Sequence, residues 1–155
     1  MKYFSTFILA LISAAVASPL ERRQVQPVQR LDITGFTANC QASGGCSWTF
    51  NVVEFPNTAT ITCTGSVPTG TTFPATTSPF PCSDPAVLFQ FQSVPVLSSY
   101  RLVLTDVHVA GCSRGGSRLM PAADFPVVTD GTGTHQTYVG ATAFNIAATG
   151  ACSQM

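Results

Sequence analysis

Three residues of the chain carry the groups that a nuclease uses on a phosphate ester. Glu54, Arg101 and His135 would supply a base, a phosphate clamp and an acid. They are far apart in the sequence, so only the fold could bring them together. Asp106 and His108 lie two residues apart in a strand-like stretch and would share one face, but two ligands hold a metal ion only with help from elsewhere. We expect this pair to form a polar strand face.

The nuclease hypothesis has one further element of support and two departures. The stretch THQTYVGATAFN at 134–145 resembles the final histidine segment of fungal guanyl-specific ribonucleases. That family has a second histidine before its glutamate, whereas no histidine precedes Glu54, and its spacings are much shorter. No G-x-S-x-G elbow occurs, and no glycine-rich loop opens a helix. We therefore predict no catalytic residues, no bound cofactor and no metal site.

The cysteines predict disulfide chemistry instead of metal binding. The chain has 6 cysteines, without CxxC pairs or close histidine neighbours. An even number in a small exported domain indicates three disulfides. Six cysteines allow fifteen pairings, so the sequence alone leaves the connectivity open. Our working hypothesis joins neighbours along the chain: Cys40 with Cys46, Cys63 with Cys82, and Cys112 with Cys152.

The N-terminal segment 1–17 has the features of a secretory signal peptide. Lys2 precedes an apolar stretch, and Ala15-Val16-Ala17 is an A-x-A cleavage site. A membrane anchor is the alternative, but the apolar core is shorter than the roughly 20 residues that a span needs. We expect cleavage after Ala17 and a secreted, extracellular protein.

Residues 18–23 end in Arg22-Arg23, a dibasic pair typical of fungal processing proteases, although an ordinary polar linker would look similar. We expect this segment to be a propeptide and residues 24–155 to form one secreted β domain. That mature chain would keep four arginines and six acids, so its net charge would be −2.

Composition excludes several classes of protein. Only 9% of the 155 residues are charged, and the formal net charge is +0, so the chain lacks the basic stripe of a nucleic-acid binder. The aromatic fraction of 10% and the low charge also argue against disorder. Beyond the signal peptide no apolar run approaches spanning length. We expect neither a nucleic acid nor a membrane as partner.

Strand-like alternation runs through the domain. Apolar and polar residues alternate in six stretches, with no helical periodicity outside the signal peptide. The predicted strands cover 31–38, 47–52, 59–63, 88–92, 100–109 and, as one or two strands, 137–146. Such spacing predicts an all-β fold, an antiparallel β-sandwich or β-barrel stapled by disulfides. The predicted core consists of Phe36, Trp48, Phe50, Val52, Ile61, Phe89, Phe91, Leu102, Leu104 and Phe144.

Turn residues separate these strands. Loops are predicted at 43–45, 55–57, 111–116 and 130–133, and Pro95 breaks the chain after the fourth strand. Residues 64–81 are rich in Thr, Pro, Ser and Gly and show no strand pattern, so we expect a mobile loop with hydroxyls suited to O-glycosylation. A bridge between Cys63 and Cys82 would close it.

One pattern resembles a known family. It reads Phe36-x3-Cys40-x5-Cys46-Ser-Trp48-x-Phe50-x-Val52, then Ile61-Thr-Cys63, then Cys82-Ser-Asp84-Pro-x-Val87-x-Phe89-x-Phe91, then Leu102-x-Leu104. This resembles small fungal secreted proteins related to the Alternaria major allergen, over about half the chain. After Val109 the sequence departs, and the spacing of Cys112 and Cys152 does not match the family.

The resemblance implies an exported β-barrel or β-sandwich without catalytic residues. Members act as allergens, elicitors or effectors that meet plant defence proteins, and some dimerise or bind small phenolic ligands. It also implies a Cys63–Cys82 pair and, on weaker matching, a Cys40–Cys46 pair.

Two binding hypotheses follow from these observations. The first is a non-enzymatic, allergen-like effector or elicitor that binds host plant proteins or wall material, as a monomer or homodimer. The second is a binding module for an apolar ligand or a polysaccharide. A row of exposed aromatics would favour it, and Phe73, Phe80 and Phe125 are the candidates, unless they pack as loop residues over the core.

Overall fold

A computed structural model shows an all-β protein, as the sequence predicts. It describes residues 30–41, 43–55, 58–68, 70–107, 112–131 and 133–152, with the backbone alone for Cys112, Ala151 and Cys152. The segments expected to be signal peptide and propeptide, and His108, lie outside the described residues. The strands are β1 (Arg30–Gln41), β2 (Gly45–Phe55), β3 (Thr60–Val67), β4 (Phe80–Pro81), β5 (Val87–Val94), β6 (Ser99–Asp106), β7 (Cys112–Pro121), β8 (Val127–Asp130), β9 (Gly133–Thr137), β10 (Phe144–Ala147) and β11 (Thr149–Cys152).

The strands form two antiparallel sheets. We call the sheet in the order β3-β2-β1-β9-β8 the front sheet, and β10 joins it by pairing with β1. The back sheet has the order β11-β7-β6-β5-β4. Two single-turn 3-10 helices, Pro95–Leu97 and Ala122–Asp124, complete the described secondary structure. Among the described residues, no helix has the length and hydropathy needed to cross a membrane.

Alternating side chains build the core between the sheets. Trp48, Phe50 and Val52 of β2 are buried, while the residues between them are more exposed, as expected for a strand with one face inward. Phe89 and Phe91 of β5 face them from the back sheet. Nine of the ten predicted core residues are buried; Ile61 is partly buried and packs against the cluster.

A bulge in β1 places one aromatic ring in the centre of this core. Between Thr34 and Thr37 the register with β2 shifts by one residue, and Gly35 has φ +64°. A glycine adopts this left-handed conformation without steric cost. The bulge turns Phe36 fully inward, where it contacts the rings of Phe50 and Phe144.

Segment 64–81 corrects one expectation. β3 continues to Val67 and β4 begins at Phe80, so both ends of the predicted loop are strand. In the irregular middle, Phe73 is only 6% exposed and its ring contacts Trp48. The absence of strand predicted for 64–81 is therefore wrong at both ends, and the middle packs on the core because burying an aromatic ring outweighs the loop-like composition around it.

Two other boundaries also differ from the sequence prediction. The predicted loop at 111–116 is mostly strand, because β7 begins at Cys112 and uses its glycines for close packing. The predicted strand at 137–146 is interrupted, since β9 ends at Thr137 and β10 begins at Phe144. The turn at 130–133 is confirmed as the hairpin between β8 and β9.

The two edges of the sandwich are closed in different ways. On one side, which we call the β3–β4 edge, a disulfide joins Cys63 to Cys82, and backbone Ser83 donates to the Thr62 carbonyl at 2.7 Å. On the other side, the chain passes from β10 in the front sheet to β11 in the back sheet through the single residue Ala148. We call this second side the β10–β11 crossing.

The described disulfides are two of the three pairs in our working hypothesis. Cys40 and Cys46 are register partners at the end of the β1–β2 hairpin, and their bridge is fully buried. Cys112 lies opposite Cys152 where β7 pairs with β11. Their side chains are outside the described part of the structure, so the third bridge stays a prediction.

Candidate functional site

The three residues of the nuclease hypothesis lie on three different surfaces. Glu54 is 5% exposed and lies on the inward face of β2. Arg101 lies on the outward face of β6, since its neighbour Leu102 is buried in the core. His135 lies on the outward face of β9, since its neighbour Gln136 is buried. The arrangement therefore gives no common cleft for a base, a phosphate clamp and an acid.

The histidines do not form a metal site in the described structure. His135 Nδ1 is 4.0 Å from an Asp130 carboxylate oxygen, a contact across the hairpin turn. Asp106 is buried on the inward face of β6, and its predicted companion His108 lies outside the described residues. No group of three or more His, Cys, Asp or Glu side chains suited to a metal ion occurs within the described residues.

The candidate aromatic row does not line an exposed surface. Phe73 and Phe125 are buried, and Phe80 is partly buried against the core. Their rings pack against one another and against Trp48. The three candidates therefore do not form the exposed row that would favour a binding module, and the alternative, that they pack over the core, is correct.

A buried amide ties segment 64–81 to the rest of the core. Gln136 accepts a hydrogen bond from the backbone N–H of Phe73 at 2.9 Å through Oε1. Its Nε2 donates to the Phe125 carbonyl at 2.8 Å and to the Tyr100 hydroxyl at 2.9 Å. Because every polar atom of this side chain has a partner, its burial costs little, and the network fixes the position of the segment.

Tyr138 has a raised pKa. Burial raises the pKa of its phenol above the ordinary value, the nearby Asp124 carboxylate raises it further, and Arg118 opposes them. The hydroxyl donates to the Ala141 carbonyl at 2.8 Å. A phenol held in its neutral form suits a structural hydrogen bond and does not supply a general base at neutral pH.

Two exposed apolar regions lie at the ends of strands. Val96 and Leu97 project from the turn between β5 and β6, with Val96 96% exposed. Val127 and Val128 lie on β8, an edge strand of the front sheet whose four residues are all exposed. Exposed strand edges and apolar tips are surfaces that other chains can bind.

A groove lies on the outer face of the back sheet. It has a volume of about 780 Å³ and is open to solvent. It crosses β5, β6, β7 and β11 and reaches Ala147 of β10. Gly115, Gly116 and Gly150 are among its lining residues and pack closely, since an added Cβ would meet Leu104, Ala147 and Arg114, respectively. Its lining includes two arginines and no acid among the described residues. The polar lining residues are Gln92, Arg101, Thr105, Ser113, Arg114, Ser117 and Thr149.

Sequence reasoning missed this groove. The alternation in β6 already places Arg101 and Val103 opposite Leu102 and Leu104, so the outward face was readable. The glycines at 115–116 were interpreted as a turn. If the glycines at 115–116 are instead assigned to a strand, they predict a part of the sheet surface that carries no side chains.

Comparison with known proteins gives a likeness in structure. No protein-family model matches the sequence, and no curated protein matches it. A crystal structure of the Alternaria alternata major allergen Alt a 1 matches with TM-score 0.53 and 14% identity, over 81% of this chain and 97% of that one. A second crystal structure of Alternaria alternata allergen Alt a 1 matches with TM-score 0.53 and 13% identity, over 83% and 93%. The likeness is one of fold.

This result confirms the resemblance drawn from the cysteine and aromatic pattern, and it confirms the all-β class. The likeness extends beyond the half of the chain that carried the resemblance in sequence. At this level of identity no residue role is transferred, so every functional argument here rests on the side chains of this chain.

Proposed function

We propose that this chain is a small secreted protein that acts by binding a host or wall component, in the manner of an allergen, effector or elicitor, and has no enzymatic activity. The observation that supports it best is the dispersal of Glu54, Arg101 and His135 over the interior and two outer faces. General acid–base chemistry requires such groups within hydrogen-bonding reach of one substrate. Binding requires only a surface, and the groove and the exposed apolar tips provide surfaces.

Secretion belongs to the same proposal. The described disulfides suit an oxidising exterior, because reducing compartments keep thiols free. The signal peptide expected at 1–17 and the dibasic site at Arg22-Arg23 supply the route. The likeness to an allergen fold is consistent with an extracellular protein.

Of the ligand classes considered, a polysaccharide suits the described surfaces better than an apolar or phenolic molecule. Aromatic side chains fill the space between the sheets. A small pocket near Pro79 and Leu88 measures only about 90 Å³, whereas ligand pockets usually measure about 300–1,000 Å³. A cleft of about 450 Å³ beside Trp48 and Phe80 is within that range, but it is open to solvent and Trp48 is only 1% exposed. The open polar groove on the back sheet is large enough for several sugar units.

Affinity capture tests the proposal. The purified, oxidised protein is immobilised and exposed to plant apoplast and fungal wall extracts, with reduced and alkylated protein as the control. We expect a specific component to be enriched by the oxidised form alone. If the oxidised protein enriches no component and the same preparation degrades RNA, the proposal is overturned in favour of a nuclease.

A further inference from the structure

We propose that the groove on the back sheet binds the carboxylate groups of a uronic-acid oligosaccharide, with Arg101 as the principal clamp. This inference rests on the proposed function and deepens it, because it names the class of wall component and the place where it binds. It is argued from an unsatisfied donor, from charge and from shape.

The unsatisfied donor is the Nε–H of Arg101. The Nε atom is shielded from solvent, and no atom among the described residues accepts its hydrogen. A buried donor without an acceptor destabilises a protein, so such a donor calls for an explanation. A carboxylate in the groove can reach Nε only after the Arg101 side chain turns outward. The planar guanidinium would then present two parallel N–H groups to the two carboxylate oxygens, and the unsatisfied donor would gain an acceptor.

Charge points to the same ligand. Four arginines lie among the described residues: Arg30 pairs with Asp32 at 2.7 Å, and Arg118 lies over the Phe144 ring at 4.6 Å. The other two, Arg101 and Arg114, both line the groove, and Arg114 lies opposite the buried Asp106 where β6 pairs with β7. In a mature chain of net charge −2, this groove therefore concentrates positive charge.

Shape and polarity favour a chain of sugars over a small acid. The groove spans four strands, and three inter-strand spacings cover about 14 Å, the reach of several sugar rings. Hydroxyls of Thr105, Ser113 and Ser117 and the amide of Gln92 offer hydrogen bonds along it. None of the residues that line it is aromatic, so a flat aromatic ligand finds no stacking partner there.

Calorimetric titration of the secreted protein tests the proposal. The probes are a uronic-acid trisaccharide, the same trisaccharide fully methyl-esterified, and inorganic phosphate. We expect the free acid to bind, the ester and phosphate to bind much more weakly, and affinity to fall as sodium chloride rises.

Matched variants locate the site. Arg101→Gln should weaken binding of the free acid about tenfold or more, because a charge-assisted hydrogen bond is lost. Arg30→Gln removes the same charge from the front sheet and should leave affinity unchanged. The unfolding midpoint of Arg101→Gln should not fall, since the variant removes an unsatisfied buried donor. A purely structural role for Arg101 would lower that midpoint instead.

Any of three results would overturn the proposal. The free acid and its ester could bind with equal affinity, phosphate could bind as tightly as the free acid, or Arg101→Gln and Arg30→Gln could lose the same affinity for the free acid. If the trisaccharide fails to bind while affinity capture still enriches a partner, this inference is wrong and the proposed function stands. If neither experiment detects a ligand, both are wrong.

Discussion

The β3–β4 edge and the β10–β11 crossing close the same sandwich by different chemistry. At the β3–β4 edge, a disulfide between Cys63 and Cys82 and backbone hydrogen bonds join the sheets, and segment 64–81 packs Phe73 into the core. At the crossing, the sheets approach through Gly116, where an added Cβ would contact the Ala147 carbonyl and lie 2.6 Å from Ile146 Cγ2.

If the groove binds a ligand as we propose, the difference separates the residues for stability from those for recognition. The β3–β4 edge uses large apolar rings and a covalent bond, which stabilise the interior and leave little free surface. The crossing uses small residues, which allow close backbone packing beside the groove. Changes at the first region should therefore reduce stability, whereas changes in the groove should reduce binding.

The largest expected effect is at the β3–β4 edge. Phe73→Ala should lower the free energy of unfolding by about 3–5 kcal/mol, because a buried ring with several aromatic neighbours leaves a cavity. Phe55→Ala is the matched control; its ring is 45% exposed, and the cost should be about 0.5 kcal/mol or less. Urea unfolding followed by near-UV circular dichroism measures both. Equal costs would mean that segment 64–81 is not part of the core.

The disulfides should differ in their contributions. Replacing Cys63 and Cys82 together by Ala should cost about 3 kcal/mol, since their bridge closes a loop with sequence separation 19. The same replacement of Cys40 and Cys46 should cost about 2 kcal/mol, because the separation is only 6. Thermal unfolding of the two double variants gives the comparison. If removal of the Cys40–Cys46 bridge lowered stability more than removal of the Cys63–Cys82 bridge, the importance assigned to the β3–β4 edge would be contradicted.

The crossing should be sensitive to a single added methyl group. Gly116→Ala should destabilise the protein by about 1–3 kcal/mol, because the new Cβ would overlap the Ala147 carbonyl. Gly131→Ala is the control, since an added Cβ at Gly131 would contact nothing within 4 Å. Denaturant midpoints of both variants measure the difference. If both are neutral, the close approach at the crossing is not required.

The smallest effect concerns pH near the crossing. Because burial raises the pKa of Tyr138, the folded state favours the neutral phenol, and this contribution to stability is lost as pH rises above about 10. The unfolding midpoint should therefore fall between pH 8 and pH 11, and Tyr138→Phe should reduce that fall. Urea titrations at the two pH values test this. An identical pH dependence in both proteins would assign the alkaline loss to other groups.

Most of the fold could be predicted from local alternation. In β5, in β6 and in β2 from Cys46 onward, each buried residue is followed by a more exposed one, and the predicted core follows from that pattern. The same alternation placed Arg101 on an outer face. These features depend only on the pleat of a strand, which the sequence expresses residue by residue.

The remaining features depend on distant partners. Phe73 is buried because Trp48, Phe91 and Phe125 surround it, and nothing within segment 64–81 reveals them. Gly116 suits β7 because Ala147 lies against it, yet in the sequence the glycines resemble a turn. The groove could not be foreseen for the same reason, since it appears only when β7 and β11 pair.

Recognition through the outer face of the back sheet is tested most directly by nuclear magnetic resonance. The ¹⁵N-labelled secreted protein is titrated with the uronic-acid trisaccharide, and the amide shifts are mapped onto the strands. Shifts concentrated in β6, β7 and β11 are predicted. Shifts confined to the front sheet, or none at millimolar ligand, would contradict the account.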